Sequence, residues 1–440
     1  MSLTAIEAVT GRRVWDSRGR PTVEAEIRLV SGAVGRAIAP AGASTGSAEA
    51  LDLRDGGAAF GGLDVRRALS NVNGEIAGAL RGVDAADQAA VDAAILRLDG
   101  SKTKERLGGN ATIAVSMAAA HAAAAAERVP LWRHLGAAAP RVPVPEIQIV
   151  GGGAHAAGRI DVQDFMVIAT GAASIGEALD WTAEIYRAAG SLLKARGRLR
   201  GIADEGGWWP ELDSNEAALE LVAGAVSAAG FSLGRQVSIS IDVAATQMRT
   251  MGGYELKRDG RTVSAEELGE LLGQWTTDYR IVAIEDPLAE DDTAGMAAFT
   301  ARMRGTCLIV GDDFLATSAE RIRAAAAAGA CDTALIKPNQ AGTLTETAAA
   351  FQAARAAGWR TIVSARSGES EDVTLVHLAA AWGADLFMVG SFARGERTAK
   401  WNEALRLSEA AGAVFTPWRT PEVAGTATKR SAAGSLGRGG

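Results

Sequence analysis

The sequence has little that would tie it to a membrane, an oxidising compartment or a polyanion. Cys307 and Cys331 are its only cysteines in 440 residues, and each lies in or beside an apolar run. No disulfide framework follows from two such residues. No stretch approaches the ~18 consecutive apolar residues of a membrane span, and the N-terminal MSLTAIEAVTGRRVW lacks a hydrophobic signal core. A cytoplasmic protein with no membrane partner is the expectation. Excess positive charge is missing too: the formal net charge is −7, which argues against broad nucleic-acid binding. Charged residues make up only 22% and hydrophobic ones 48%, enough apolar material for large cores and no case for disorder.

What the sequence does have is a repeat. Six times in the second half, a short aliphatic or β-branched run ends in a charged or polar residue and gives way to an alanine-rich helical pattern. The runs end near Asp242, Glu285, Asp312, Lys337, Arg366 and Arg394, separated by 43, 27, 25, 29 and 28 positions. After the first gap this is about the length of one strand, one helix and two loops. In a closed parallel barrel the strand ends converge on one face, where such enzymes build their sites. A carboxylate trio and a lysine would share one mouth.

A barrel of about 250 residues leaves room for a second unit. Residues 4–40 read as strands broken by turns at DSRGRP and SGAVG, an antiparallel meander. Residues 47–134 turn helical and alanine-rich. Residues 137–145, with three prolines, are the linker candidate. The expected organisation is therefore an N-terminal α+β domain over 1–136, a barrel over 143–421, and a small, glycine-rich, flexible tail over 422–440. Inside the barrel, Ser264 with Glu267 and Thr343 with Glu346 fit a capping box.

Asp242, Glu285 and Asp312 form an all-oxygen, trianionic set suited to a hard divalent cation, above all magnesium. Any one alone would read as a surface acid or helix cap. Three at consecutive strand ends would repel strongly without a cation. Lys337 emerges from a buried strand beside them and could simply pair with an acid. Metal charge and desolvation would instead lower its pKa and let it act as a base. Lys400 is a second candidate cation.

These pieces occur together with DSRGRPTVE at Asp16, GASTG at Gly42, VPLWRHL at Val129, DEGGWWP at Asp204, IEDP at Ile284, GDD at Gly311, SARSGESED at Ser364 and ERTAKWN at Glu396. In that order and spacing the chain resembles the enolase family over nearly its whole length. The resemblance implies a small α+β capping domain followed by an enolase-type (β/α)8 barrel, an α/β fold assembled as a homodimer or higher homo-oligomer, with two Mg2+ per active site and a small phosphorylated carboxylate as substrate. Position by position it makes Asp242, Glu285 and Asp312 the ligands of the first magnesium, and Ser44 a loop residue that binds the second and closes over the substrate. Lys337 matches the base, Glu205 the acid that helps hydroxide leave, and Lys400 a carboxylate-binding cation. Arg366 and Ser367 match the phosphate site, and His155 lies on a mobile pocket loop.

Two positions depart from the family pattern. Its QEF motif reads Gln163, Asp164, Phe165 here, with Asp164 in the place of the glutamate that assists at the leaving-group side. Its SHRSGE motif has lost the histidine and reads Ser364, Ala365, Arg366. Each change removes volume, and misplacing a catalytic group by about 1 Å can cost on the order of 100-fold in rate. The leading expectation is a phosphopyruvate hydratase-like carbon–oxygen lyase of glycolytic type that converts 2-phospho-D-glycerate, or a close phosphorylated or phosphonylated analogue, to the enol product. The alternative is a specialised paralogue of phosphonate secondary metabolism that forms a carboxyphosphonoenolpyruvate-type product. A third reading is a non-catalytic binding protein, against which the retained trio, Lys337 and Glu205 argue.

Overall fold

The computed structural model describes residues 2–420. Strands Ile6–Trp15, Pro21–Leu29 and Val34–Ile38 form an antiparallel meander. Alternation along the central strand sends Val23, Ala25, Ile27 and Leu29 into the core with no residual exposure. Helix Gly109–Glu127 covers that face. Alanine lets it lie close, and Gly35 lets it lie closer: a Cβ there would sit 2.1 Å from the backbone nitrogen of Ala122. Residues 47–65, expected to begin the helical region, are mostly irregular chain, and the first α-helix starts at Arg66. The turn-forming RDGG at 54–57, with both glycines at positive φ, explains the delay.

The second unit is a closed barrel of eight strands. Arg141–Gly151 pairs on one side with Asp164–Ile168 and on the other with Leu386–Gly390, which closes the ring. Between them run Ser238–Asp242, Ile281–Glu285, Leu308–Gly311, Thr333–Ile336 and Arg360–Ser364. Not every strand is parallel, as the repeat alone had implied. Asp164–Ile168 is antiparallel to both neighbours. The segment before it, residues 152–163, carries only a short 3-10 turn, and a parallel return needs a longer crossover. The remaining neighbours in the ring are parallel, with helices outside. Leu335, Ile362, Leu386 and Val310 fill the lumen, while a far larger apolar layer joins strands to helices.

The barrel begins inside the stretch expected to be linker. Pro143 and Pro145 lie within the first strand, whose extended backbone suits proline's fixed φ at the cost of ladder donors. Of the two expected capping boxes, that of Ser264 and Glu267 forms completely. At Thr343 the side chain accepts from the Glu346 amide, but the Glu346 carboxylate turns to Lys104 of the first domain at 2.7 Å, so the box is half-formed. The glycine-rich tail over 422–440 lies outside the described residues. Among those described, no helix is long and apolar enough to cross a membrane.

Candidate active site

The barrel's C-terminal mouth gathers most of the residues singled out by sequence. Asp242 and Glu285 end their strands and face one another in register, and Asp312 and Lys337 immediately follow theirs. All three acids are at most 5% exposed. Asp242 accepts from the Gln163 amide at 2.7 Å and from the backbone of Ala244 at 2.9 Å. Asp312 accepts from Lys337 Nζ and, at 2.8 Å, from Gln340. Glu285 Oε2 is buried with no partner. Burial, reinforced by the neighbouring carboxylates, pushes Asp242 and Glu285 well above the usual carboxylate range.

The trio does not close into one tight cage. Lys337 and Gln340 draw Asp312 one way, and Gln163 holds Asp242 another. Ligand atoms within 4.8 Å of one another occur instead in two other groups, Asp286 with Asp312 and Asp313, and His155 with Asp164 and Glu205. Asp286 accepts both following backbone amides, from Asp312 at 3.0 Å and Asp313 at 2.8 Å, and thereby fixes the GDD turn. Burial and the Asp312 charge raise Asp313 to about 7. A hard cation fits the donor chemistry of Asp242, Glu285 and Asp312: it would supply the partner that Glu285 Oε2 lacks and relieve acids that burial holds near neutrality.

Lys337 departs from expectation. Burial pulls its pKa down, but contact with Asp312 and the charge of Glu285 outweigh that, and the net shift is upward. It is held as the ammonium so long as Asp312 is its partner. Asp312 in turn stays low: burial works to raise it, and Lys337 and Arg366 together prevail.

On the leaving-group side, His155 bridges two acids. Its Nδ1 lies 3.0 Å from Asp164 and its Nε2 3.6 Å from Glu205. Gln148 donates to the same Asp164 oxygen and accepts from the backbone of Gly207 at 2.8 Å, which ties the short carboxylate to the Glu205 loop. Burial would lower the His155 pKa, yet the facing carboxylates of Asp164 and Glu205 lift it to about 9. Burial raises Asp164 in spite of the imidazolium.

Arg366 reaches into the mouth but is fully engaged. Its guanidinium binds Glu49 through two nitrogens at 2.9 and 3.2 Å, Asn339 at 3.1 Å and the Ser44 carbonyl at 2.8 Å. Burial notwithstanding, Glu49 keeps it charged. The GASTG loop of the first domain thus contributes the Ser44 backbone to this contact, and Gly42 is required beneath it, since a Cβ there would lie 2.0 Å from Arg366 Nη2. Ser367 Oγ receives Arg18 of the first domain at 3.4 Å. Arg397, wholly buried, donates to the carbonyls of Arg366 and Ser367 at 2.7 and 2.6 Å and sets the loop's backbone. Sequence reading missed Glu49, Asn339, Gln340, Gln148 and Arg397. The buried polar side chains flanking each motif were the available signal.

Lys400 is not in the mouth. It sits in the second turn of helix Gly395–Ser408, on the buried face that packs against the outside of the barrel. Its Nζ is spent on Glu369 at 3.0 Å and on the carbonyls of Ser370 and Glu396 at 3.0 and 3.2 Å. Glu369 receives the Arg366 amide at 3.0 Å, so Lys400 positions the Arg366 loop from behind. The assignment as a substrate carboxylate cation is corrected accordingly. The side chain that lines the cavity from the last barrel strand is Met388, together with Ser44, His155, Asp164, Glu205, Lys337 and Arg366.

Two family models match the chain: the one described as enolase, N-terminal domain, over residues 6–135, and the one described as enolase, C-terminal TIM barrel domain, over residues 140–418.

Two outcomes follow from this geometry. Replacing Lys400 with Ala strands Glu369 as a buried, unpaired charge and should lower unfolding free energy by about 3 to 5 kcal/mol in urea titration; a loss of substrate affinity at unchanged stability would restore it to the mouth. In the metal-free protein, the His155 ring should titrate near 9 by NMR, and Asp164→Asn should lower that value. Because the folded pKa exceeds the ordinary value of about 6.5, this ion pair stabilises the fold fully below pH ~6.5 and is lost as pH rises through about 9. A ring that titrates near 6.5 would exclude the bridge.

Proposed function

We propose, since the chain belongs to the enolase family, that it dehydrates 2-phospho-D-glycerate or a close phosphorylated or phosphonylated analogue by abstraction of the proton α to the carboxylate and expulsion of hydroxide. The observation that carries this reading is one cavity lined by Lys337 beside buried carboxylates and by Glu205 with His155. The arrangement supplies a base, an acid and a cation-binding set to one small molecule.

Asp242, Glu285 and Asp312 would hold magnesium, with Ser44 the residue proposed for a second ion. When bound, magnesium supplies the concentrated positive charge that a carboxylate gaining a second negative charge requires; the enolase superfamily is a recognised case of a lysine or histidine base working with this ion. The chain's own groups do the proton transfers. Were a cation to engage Asp312, Lys337 would lose the partner that keeps it protonated, and burial would then favour the free amine. Its nitrogen takes the C2 proton, and the C–H electron pair moves toward the carboxylate. The C3–O bond then breaks as the C2–C3 double bond forms. The departing hydroxide takes a proton from the Glu205 and His155 side and leaves as water.

Asp164 and Ala365 favour the second reading, a paralogue in phosphonate metabolism. His155 and Gln148 close the gap left by the shorter carboxylate. Ala365 presents only a methyl group to the cavity that it lines.

Two expected outcomes test the chemistry. Glu285→Gln should bind magnesium at least tenfold more weakly in calorimetry while its melting temperature is retained; an unchanged affinity removes Glu285 from the metal set. Lys337→Ala should abolish exchange of the substrate's C2 hydrogen with solvent deuterium, whereas Glu205→Gln should keep exchange and lose 100- to 10,000-fold in dehydration, roughly the range for general acid catalysis. Exchange that survives in the lysine variant would identify another base.

A further inference from the structure

We infer that Met388 and Ala365 form a specificity-determining wall for the phosphorus-bearing end of the substrate, built for a carbon substituent where a plain phosphate would present an oxygen. The inference deepens the dehydration reading and rests on it for the identity of the site. The two residues belong to adjacent strands: Ala365 follows the last residue of one, Ser364, which is in register with Met388 in the other, and the Ala365 amide donates to the Met388 carbonyl at 2.9 Å. Both line the cavity, and they are 6% and 7% exposed. Apart from Ala43 on the loop of the first domain, every other side chain that lines it is polar or charged.

Charge reinforces shape. The cations in the cavity lining are committed, Lys337 to Asp312, Arg366 to Glu49 and Asn339, and His155 to Asp164 and Glu205. Lys400, the expected extra cation, is behind the loop. A charged oxygen laid against a thioether and a methyl group would be desolvated without a hydrogen-bond donor, which is unfavourable. A carbon group there loses nothing and gains contact, and an unbranched methionine adjusts to irregular apolar shapes. Ala365 directly precedes Arg366, so the wall borders the guanidinium expected to take the phosphorus group. The substrate class is thus a 3-hydroxy carboxylate whose C2-linked phosphorus group bears a carbon substituent in place of one terminal oxygen.

The probes are 2-phospho-D-glycerate and its counterpart in which a methyl group replaces one terminal phosphate oxygen. Their binding is measured by calorimetry with magnesium, alongside exchange of the C2 hydrogen. The wild-type protein should bind the methyl compound at least tenfold more tightly than the phosphate. Met388→Lys, which adds a cation at similar length, should reverse that ratio, Met388→Leu should keep it, and Ala365→Leu should weaken the methyl compound selectively at unchanged melting temperature. A wild-type preference for the plain phosphate, or a ratio that Met388→Lys does not move, overturns the wall. If the ratio behaves as stated while neither compound exchanges its C2 hydrogen, the wall stands and the dehydration reading fails. If exchange occurs and the ratio is flat, the wall alone fails.

Discussion

The mouth of this barrel is organised by the burial of more negative charge than its own cations can balance. Asp164, Asp242, Glu285, Asp286, Asp312 and Asp313 are all 8% exposed or less. Like charges out of water raise one another's pKa, and only Asp312 among them is held below its ordinary value. It is the acid that Lys337 touches. The others are tolerated through amide donors, through backbone N–H groups at the GDD turn, and through the His155 imidazolium. An orphaned Glu285 oxygen marks what these devices leave undone. A hard divalent cation would complete the balance, and it would compete with Lys337 for Asp312. On the proposed chemistry, metal binding and readiness of the base would be one electrostatic event.

The two domains are joined by the same charge pattern. Glu49 and the Ser44 carbonyl descend from the first domain onto Arg366, and Arg18 reaches Ser367. Farther out, buried Asp92 accepts from both the amide and the hydroxyl of Thr345 at the start of a barrel helix. The roof of the pocket is thus a set of charge-assisted hydrogen bonds to the barrel's own loops. A phosphate group that takes Arg366 must share it with Glu49 or displace it, which couples substrate entry to the position of the GASTG loop.

Much of this was legible in the sequence because strand ends are punctuated. IVAIEDP, CLIVGDD and TALIKPNQ each show an apolar run that stops at its chemical residue, and the strands end within a residue of the expected places. The antiparallel second strand was not legible, since direction depends on the length and path of a connection that carries no periodic signal. The prolines of residues 137–145 were legible as a boundary but not as strand: the barrel, expected from residue 143, begins with a strand at Arg141, since extended φ is as native to a strand as to a loop. Glu49 and Arg397 were invisible for a third reason. Each is a charged residue in a helical or loop context whose default is solvent, and only long-range packing buries it.

Lys400 shows where motif reading reaches its limit. In ERTAKWN the family resemblance alone assigns the lysine to the substrate carboxylate, but the residue lies within helix Gly395–Ser408, whose periodicity decides the direction. Arg397, Lys400, Trp401 and Ala404 share its buried face, so Lys400 meets the back of the Arg366 loop. The residue that does look into the cavity is Met388, which apolar composition had disguised as ordinary strand core. It is indeed both, since it also belongs to the apolar cluster of the barrel lumen. A residue near the mouth end of a barrel strand borders lumen and mouth alike, so a substitution there can change substrate chemistry while leaving the hydrophobic pattern that specifies the fold intact.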